Sequence, residues 1–439
     1  MERGYGHSDD LLRNPAVNAL AAADRNLATT LALGVLRWQI LLDHEIRPLL
    51  KRPNARLDPE VLIALRLGAF QIRYLDRVPA HAAIDESVEL AKQAGHRFAS
   101  AMVNAVLRRV AQIAPQNALR DDSPAGLALK FAHPAWMVER WAGFYGLDAA
   151  RAICLHGQAQ PQLSLRLENQ EVEAELAQDG IRLEPGALLH AARTVISGDV
   201  TSTAAFRAGR VRIQDEGSQL IGEFAASVSK NLNQNQEKFL DACAAPGGKT
   251  LILAERNPDA RIVACEANPK RLNQLRKRLA PYASHVECRL ADATALTEES
   301  VFDQALADVP CSGTGTLGRN PEIRHRLEPE DFARQAERQQ AILAAALRAI
   351  RPGGRVIYST CSLEPEENEQ VIDAVLAENP EAHQISLAPQ IEPLLRDSIL
   401  TASGVDLLRG CLTPNGALRL LPGAVPTDGF FVAMIEKTG

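Results

Sequence analysis

The chain has 439 residues, 46% hydrophobic and 23% charged, which suits a soluble globular protein of two or three domains. A net charge of −6 and a pI near 6.0 argue against a protein that holds nucleic acid by bulk electrostatics alone. The N-terminal "MERGYGHSDD" lacks the apolar stretch of a signal peptide, no uncharged apolar run approaches the roughly 18 residues of a membrane span, and the seven cysteines include no C-x-x-C pair, so neither a disulfide framework nor a zinc site is indicated.

Residues 10 to 110 read as a run of helices. In "RFASAMVNAVLRRV" (97–110), Met102, Val103, Val106, Leu107 and Val110 recur with a helical period, opposite a basic face. The polar, proline-bearing "IAPQNALRDDSPAG" (113–126) reads as a linker. From about 127 to 230 the pattern is mixed, with a helix around "PAWMVERWAGFYG" and strand-like pieces in "QLSLRLE" and "RVRIQDEG". After about 235, the strands "KFLDAC", "RIVACE", "VECRLAD", "QALADVP" and "GGRVIYST" are interspersed with helices such as "KTLILAERN" and "PKRLNQLRKRLA". That alternation predicts a parallel sheet with helices on both faces, and ligands in such sheets bind beyond the carboxyl ends of the strands. The expected division is a helical domain over 1–112, a small α+β domain over 127–230 and a Rossmann-like α/β domain over 231–439.

"DACAAPGGKT" (241–250), after the first of these strands, misses a P-loop by one residue. Cys243 stands where glycine permits the first tight turn, and Pro246 removes one N–H from a loop that works through N–H donors. A Walker-type reading stays open, because Asp308 ends an apolar strand as a second magnesium ligand would. The following strand ends are more decisive. Glu266 comes 25 residues after Asp241, near the spacing of a ribose-binding acid, and Asp292 is placed to accept a bond from an adenine amine. Either acid alone would be read as a helix cap or a turn residue. The ordered series of loop, ribose acid and adenine acid describes a nucleoside without a triphosphate. No G-x-G-x-x-G follows the first strand, which disfavours a dinucleotide, and S-adenosylmethionine fits best.

"DVPCSGTG" (308–315) and "YSTCS" (358–362) each bring a thiol to the ligand edge of the sheet, Cys311 and Cys361. In the cytoplasm, the setting predicted by the absences above, they would act as thiols, whereas Cys243 and Cys265 read as buried hydrophobes. Two thiols beside a methyl donor suggest methylation of cytosine C5. That carbon becomes nucleophilic only when a thiolate adds to C6, and Asp308 is placed as the acid that supports N3, held protonated in a dry site. A methylase of exocyclic nitrogen needs no thiol, and "DVPC" lacks its usual proline pair and aromatic. Of two basic stretches, "PKRLNQLRKRL" (269–279) reads as a solvated helix face. "GRNPEIRHR" (318–326) places Arg319, Arg324 and Arg326 where they could touch RNA phosphates.

"DACAAPGGKT", "DVPCSGTG", "RNP" (319–321) and "YSTCS" together resemble the signature of the RNA cytosine-5 methyltransferases of the Nol1/Nop2/Sun group. "RIQDEGSQL" (212–220) and "DGFFVAMIEK" (428–437) resemble that family's entry segment and last strand. "DRNLATTLALGVLRW", "RVPAHAAIDESVELAK" and "FASAMVNAVLRRV" resemble the NusB-like domain that some members carry, so the likeness spans nearly the whole chain. The resemblance implies that Cys361 is the nucleophile and that Cys311 assists product release, an assignment that spacing leaves open. It implies donor contacts from Cys243, Ala244, Ala245, Pro246, Gly247, Gly248 and Lys249, and from Glu266, Asp292 and Asp308. The implied partner is 16S ribosomal RNA, modified at one loop cytosine before subunit assembly is complete, by a monomer with no metal and no membrane association. Another ribosomal or transfer RNA site, a non-catalytic assembly factor and an ATPase are the competing readings. Relatives usually have an amphipathic helix ahead of the segment matching "GYGHSDDLL", so either the start lies upstream or the helical domain lacks one wall.

Overall fold

The computed structural model describes residues 8–12, 14–113, 121–227 and 236–438; residues 114–120 of the expected linker and the expected boundary at 230/231 lie outside them. The chain divides into two compact units, Met1–Gln160 with Leu317–Arg326, and Pro161–Thr316 with Leu327–Gly439. Residues 127–160 thus fall in the first unit and 161–227 in the second.

The first unit is helical. Helices Ala22–Ile46, Pro59–Tyr74, Ala80–Gln93 and Ser100–Gln112 enclose a core that includes Leu42, Ile46, Leu65, Phe70 and Leu107. The period read in the last of these is present: Val103, Val106, Leu107 and Val110 are buried while Arg108 and Arg109 face out. Gly34 sets one close approach, because a Cβ there would lie 2.0 Å from the Phe70 ring. A half-buried ion pair, Arg66 to Asp43 at 2.7 and 2.8 Å, ties two of the helices together. Helices Pro124–Lys130, Ala135–Tyr145 and Leu147–Gln158 follow, and the short turn Pro321–His325 also belongs to this unit.

The second unit contains two sheets. The smaller is antiparallel, order β2-β3-β1-β4, from β1 (Leu163–Leu167), β2 (Arg182–Pro185), β3 (Ala192–Ser197) and β4 (Val211–Ile213). Helix Gln170–Gln178 covers it through a core of Leu165, Leu167, Val172, Leu176 and Val211. β2 ends in Pro185, which an edge strand tolerates.

The larger sheet has eight strands: β5 (Lys238–Asp241), β6 (Arg261–Glu266), β7 (Val286–Leu290), β8 (Phe302–Asp308), β9 (Ile350–Thr360), β10 (Ala382–Ile385), β11 (Leu418–Leu420) and β12 (Phe430–Lys437). Their order is β10-β12-β9-β8-β5-β6-β7, with β11 paired to β12. β7, β6, β5, β8 and β9 run parallel, as the alternating sequence predicts, and β12 joins β9 antiparallel. From β5 the chain winds one way through β6 and β7, then the other way through β8 and β9. The strand order therefore reverses at β5, where a ligand crevice is expected at the carboxyl ends. Central strands are buried on both faces, and β8 is buried from Phe302 to Ala307 before emerging at Asp308.

Candidate active site

The loop after β5 leads into helix Gly248–Arg256. Gly247 has φ +100°, and a Cβ there would meet Leu275 at 2.8 Å, so both conformation and space require glycine. Two of the loop's N–H groups are committed within the protein: Ala244 donates to the Cys265 carbonyl at 2.8 Å and Gly247 to the Ala244 carbonyl at 2.7 Å. Arg271 and Arg278 donate to the carbonyls of Ala245 and Pro246, at 2.8 and 2.9 Å. The basic helix face read as merely solvated therefore also staples this loop.

At the ends of β6 and β7 the acids have defined partners. Glu266, 6% exposed, accepts from the Asn268 N–H at 2.7 Å and faces Arg271 at 3.3 Å. Asp292 caps a short turn, its Oδ1 accepting from the Thr294 N–H and hydroxyl at 3.0 and 2.9 Å. Those bonds hold its carboxyl below the usual value. Cys243, Ala245, Glu266, Asp292, Asp308, Cys311 and Cys361 line one cavity of about 210 Å³. A smaller recess of about 80 Å³, sharing Cys243, Ala245 and Asp308, is lined by Ala244, Pro246, Gly248 and Lys249. Arg338 and Ile342 also line the cavity, with nothing in their ordinary helix pattern to single them out, and Arg212 and Gln214 line the recess from within "RIQDEGSQL", a segment that gave no sign of this role.

The two thiols come from the ends of adjacent parallel strands, β8 and β9. Their sulfurs stand 3.3 Å apart, and the Cys361 N–H points to the Cys311 sulfur at 3.3 Å. The hydrogen bond to Cys361, with burial, pushes the Cys311 thiol well up, so Cys311 is held protonated. Burial pushes the Cys243 thiol well up and the Cys265 thiol up to about 12, which leaves both protonated and unreactive, although Cys243 also touches the cavity.

Asp308 differs from its expected form. It accepts from the Lys249 ammonium at 2.8 Å and from the Ser359 hydroxyl at 2.7 Å, which makes it an ion-paired acceptor instead of a neutral acid. Burial alone would lower the Lys249 value, but the Asp308 carboxylate outweighs it and the net shift is upward. The proton of this pair therefore sits on Lys249.

Arg324 is a second correction. It is 1% exposed and cannot touch RNA phosphate in this conformation. Its guanidinium donates to the carbonyls of Arg37, Ala132, Gly157 and Leu317, at 2.8 to 3.4 Å, all within the first unit. Burial brings its pKa down to about 9. Arg319 and Arg326 remain partly exposed.

Residues 230–436 match the family model described as 16S rRNA methyltransferase RsmB/F. Residues 6–112 match the NusB family, and 133–196 the ferredoxin-like domain of RsmF/B-like methyltransferases. A probable ribosomal RNA small subunit methyltransferase B of Bacillus subtilis (strain 168) is 33% identical, the alignment covering 100% of this chain and 96% of that protein. Ribosomal RNA small subunit methyltransferase B of Pseudomonas putida is 34% identical over 94% of this chain and 91% of its own. In fold, the chain is similar to the crystal structure of PH0851, with a TM-score of 0.76 and 24% identity over 96% of this chain and 92% of that one.

Proposed function

The chain belongs to the 16S rRNA methyltransferase RsmB/F family, and on that premise we propose that it moves a methyl group from S-adenosylmethionine to C5 of one loop cytosine of 16S ribosomal RNA, through a covalent adduct on Cys361. The observation that carries this reading is the pair of thiols 3.3 Å apart on the wall of the cavity that the three acids share.

The residues present fit the donor. Carboxylates of Glu266, Asp292 and Asp308 around one cavity repel a triphosphate and suit a nucleoside that carries a sulfonium charge. Glu266 would hold the ribose, Asp292 the adenine, and residues 243–249 with Asp308 the remainder. When bound, S-adenosylmethionine supplies the electrophilic methyl group.

The chain's own residues prepare the base. The Cys361 thiolate adds to C6, and the displaced electron pair moves toward N3, leaving C5 as an enamine carbon. The Lys249–Asp308 pair, with its proton on Lys249, is the charge support for N3. Once methylated, C5 gives up its proton to solvent, the C5–H electron pair restores the C5–C6 double bond, and the C6–S bond breaks with its electrons returning to the Cys361 sulfur. Cys311, protonated and in hydrogen-bond contact with that sulfur, stabilises it as it leaves.

Recognition of the RNA would fall to the N-terminal helices and the 127–230 segment, with Arg319 and Arg326 at phosphates, in a cytoplasmic monomer. Among the described residues no helix is long and apolar enough to cross a membrane, and no group of three or more His, Cys, Asp or Glu is placed to hold a metal. The test is bisulfite sequencing of unmethylated 16S RNA incubated with the protein and S-adenosylmethionine. One newly protected loop cytosine is expected; methylation found only on exocyclic nitrogens, or none, would overturn the reading.

A further inference from the structure

We propose that Glu367 is the positioning residue that sets the spacing of the two thiols. Glu367 is fully buried, and no Lys or Arg pairs with it among the described residues. A buried carboxylate without a counter-ion persists only where neutral donors replace its water. Here four do: the N–H of Ser312 at 2.8 Å, the hydroxyls of Ser312 and Ser362, and the side-chain amide of Gln339 at 3.0 Å.

The identity of these donors carries the inference. Ser312 follows Cys311, and Ser362 follows Cys361. The loops that leave β8 and β9 are therefore both tied, one residue beyond each thiol, to the same carboxylate. Cross-links between the loops reinforce it: Ser312 and Ser362 hydroxyls lie 3.2 Å apart, Gly315 N–H donates to the Cys361 carbonyl at 2.9 Å, and Leu363 N–H to the Thr314 hydroxyl at 2.9 Å. Glu367 is itself anchored, because Tyr358 donates to its carbonyl at 2.6 Å. A site held by locked neighbours keeps its geometry, and one left to loop rotamers does not. The carboxylate also has an electrostatic effect, since its charge contributes to keeping Cys311 protonated. Glu367 does not line the donor cavity, so it acts on the thiols and not on S-adenosylmethionine.

The spacing is a property of the chain alone, whereas its effect on turnover rests on the adduct mechanism proposed above; the test separates the two. Phenylarsine oxide bridges two thiols only when both are within reach, and Cys311→Ala gives the background for the other cysteines. Glu367→Ala should bind S-adenosylmethionine as the parent does but capture the arsenical about tenfold more weakly or worse, because the two sulfurs no longer act as one chelate. Glu367→Gln keeps the length and an acceptor while removing the charge. It should retain arsenical capture and shift the pH profile of product release to lower pH, as Cys311 loses a nearby negative charge. Undiminished capture by a Glu367→Ala protein that holds the donor would overturn the proposal. If Glu367→Ala fails to hold the donor, the double change Ser312→Ala and Ser362→Ala, which removes both hydroxyl donors to Glu367, decides, and undiminished arsenical capture there overturns it. Capture that depends on Glu367 in a protein forming no RNA adduct would leave the spacing role standing and remove the adduct mechanism.

Discussion

The Lys249 ammonium lies 2.8 Å from the Asp308 carboxylate, so the donor loop and the end of the β8 strand that carries the Pro-Cys motif are joined by one ion pair. The same aspartate accepts from Ser359 on β9, two residues before Cys361. Loss of either member should therefore disturb chemistry more than folding.

For this pair, Lys249→Met and Asp308→Asn should each lower single-turnover methylation on the order of a hundredfold, the scale of losing one preorganised electrostatic contact. The double variant should be little worse than either single one, because the two act as a unit. Additive losses in that double-mutant cycle would contradict a shared role.

Donor binding rests on the acids at the ends of β6 and β7. Asp292→Ala and Glu266→Gln should each weaken S-adenosylmethionine binding by about tenfold to a hundredfold, corresponding to about 1.5–3 kcal/mol for a lost bond to a charged group. Isothermal titration calorimetry reads this directly. Tight ATP binding that both changes leave intact would revive the triphosphate reading of the loop.

Much of this site was legible because the chemistry sits where apolar runs stop. β5 to β9 announce themselves as buried strands, and Asp241, Glu266, Asp292, Asp308, Cys311 and Cys361 follow at or just beyond their ends. β2 and β3 left no such signal, since half-exposed strands such as "RLEP" carry little alternation. Glu367 was invisible for another reason: in "EPEENEQ" it looks like one more acid at a helix start, and only its bonds to Ser312, Ser362 and Gln339 distinguish it. Arg324 misled because a basic loop beside a reactive thiol suggests phosphate. Burial among carbonyls from distant parts of the chain has no local signature.

Arg324→Ala should destabilise the first unit by about 2–4 kcal/mol, because several buried carbonyls lose their donor together. Arg319→Ala and Arg326→Ala should instead weaken RNA binding and reduce its salt dependence. Chemical denaturation and salt-titrated binding separate these effects. A stable Arg324→Ala protein with weakened RNA binding would restore that residue to the RNA surface.

Asp241 gives the stability a pH dependence. Burial pushes its carboxyl up to about 7 from 3.8, against the opposing bond from the Thr250 hydroxyl at 2.7 Å. The native chain thus holds a proton that the unfolded chain releases, and the stability this group contributes is present at low pH and lost as pH rises through about 7. Asp241→Asn should match the parent at pH 4 and be the more stable of the two at pH 8. Urea midpoints that diverge in the opposite direction would show that the carboxylate is stabilised as an anion.

The most direct test of the mechanism separates the two sulfurs of Cys311 and Cys361. With Cys311 replaced by alanine, attack and methyl transfer remain possible but release slows, and protein should accumulate on methylated RNA as a denaturation-resistant band. Cys361→Ala and the double variant should show no band and no methylation, because the trap depends on the Cys361 sulfur. A band that appears with Cys361→Ala and vanishes with Cys311→Ala would reverse the roles and make the Pro-Cys thiol the nucleophile.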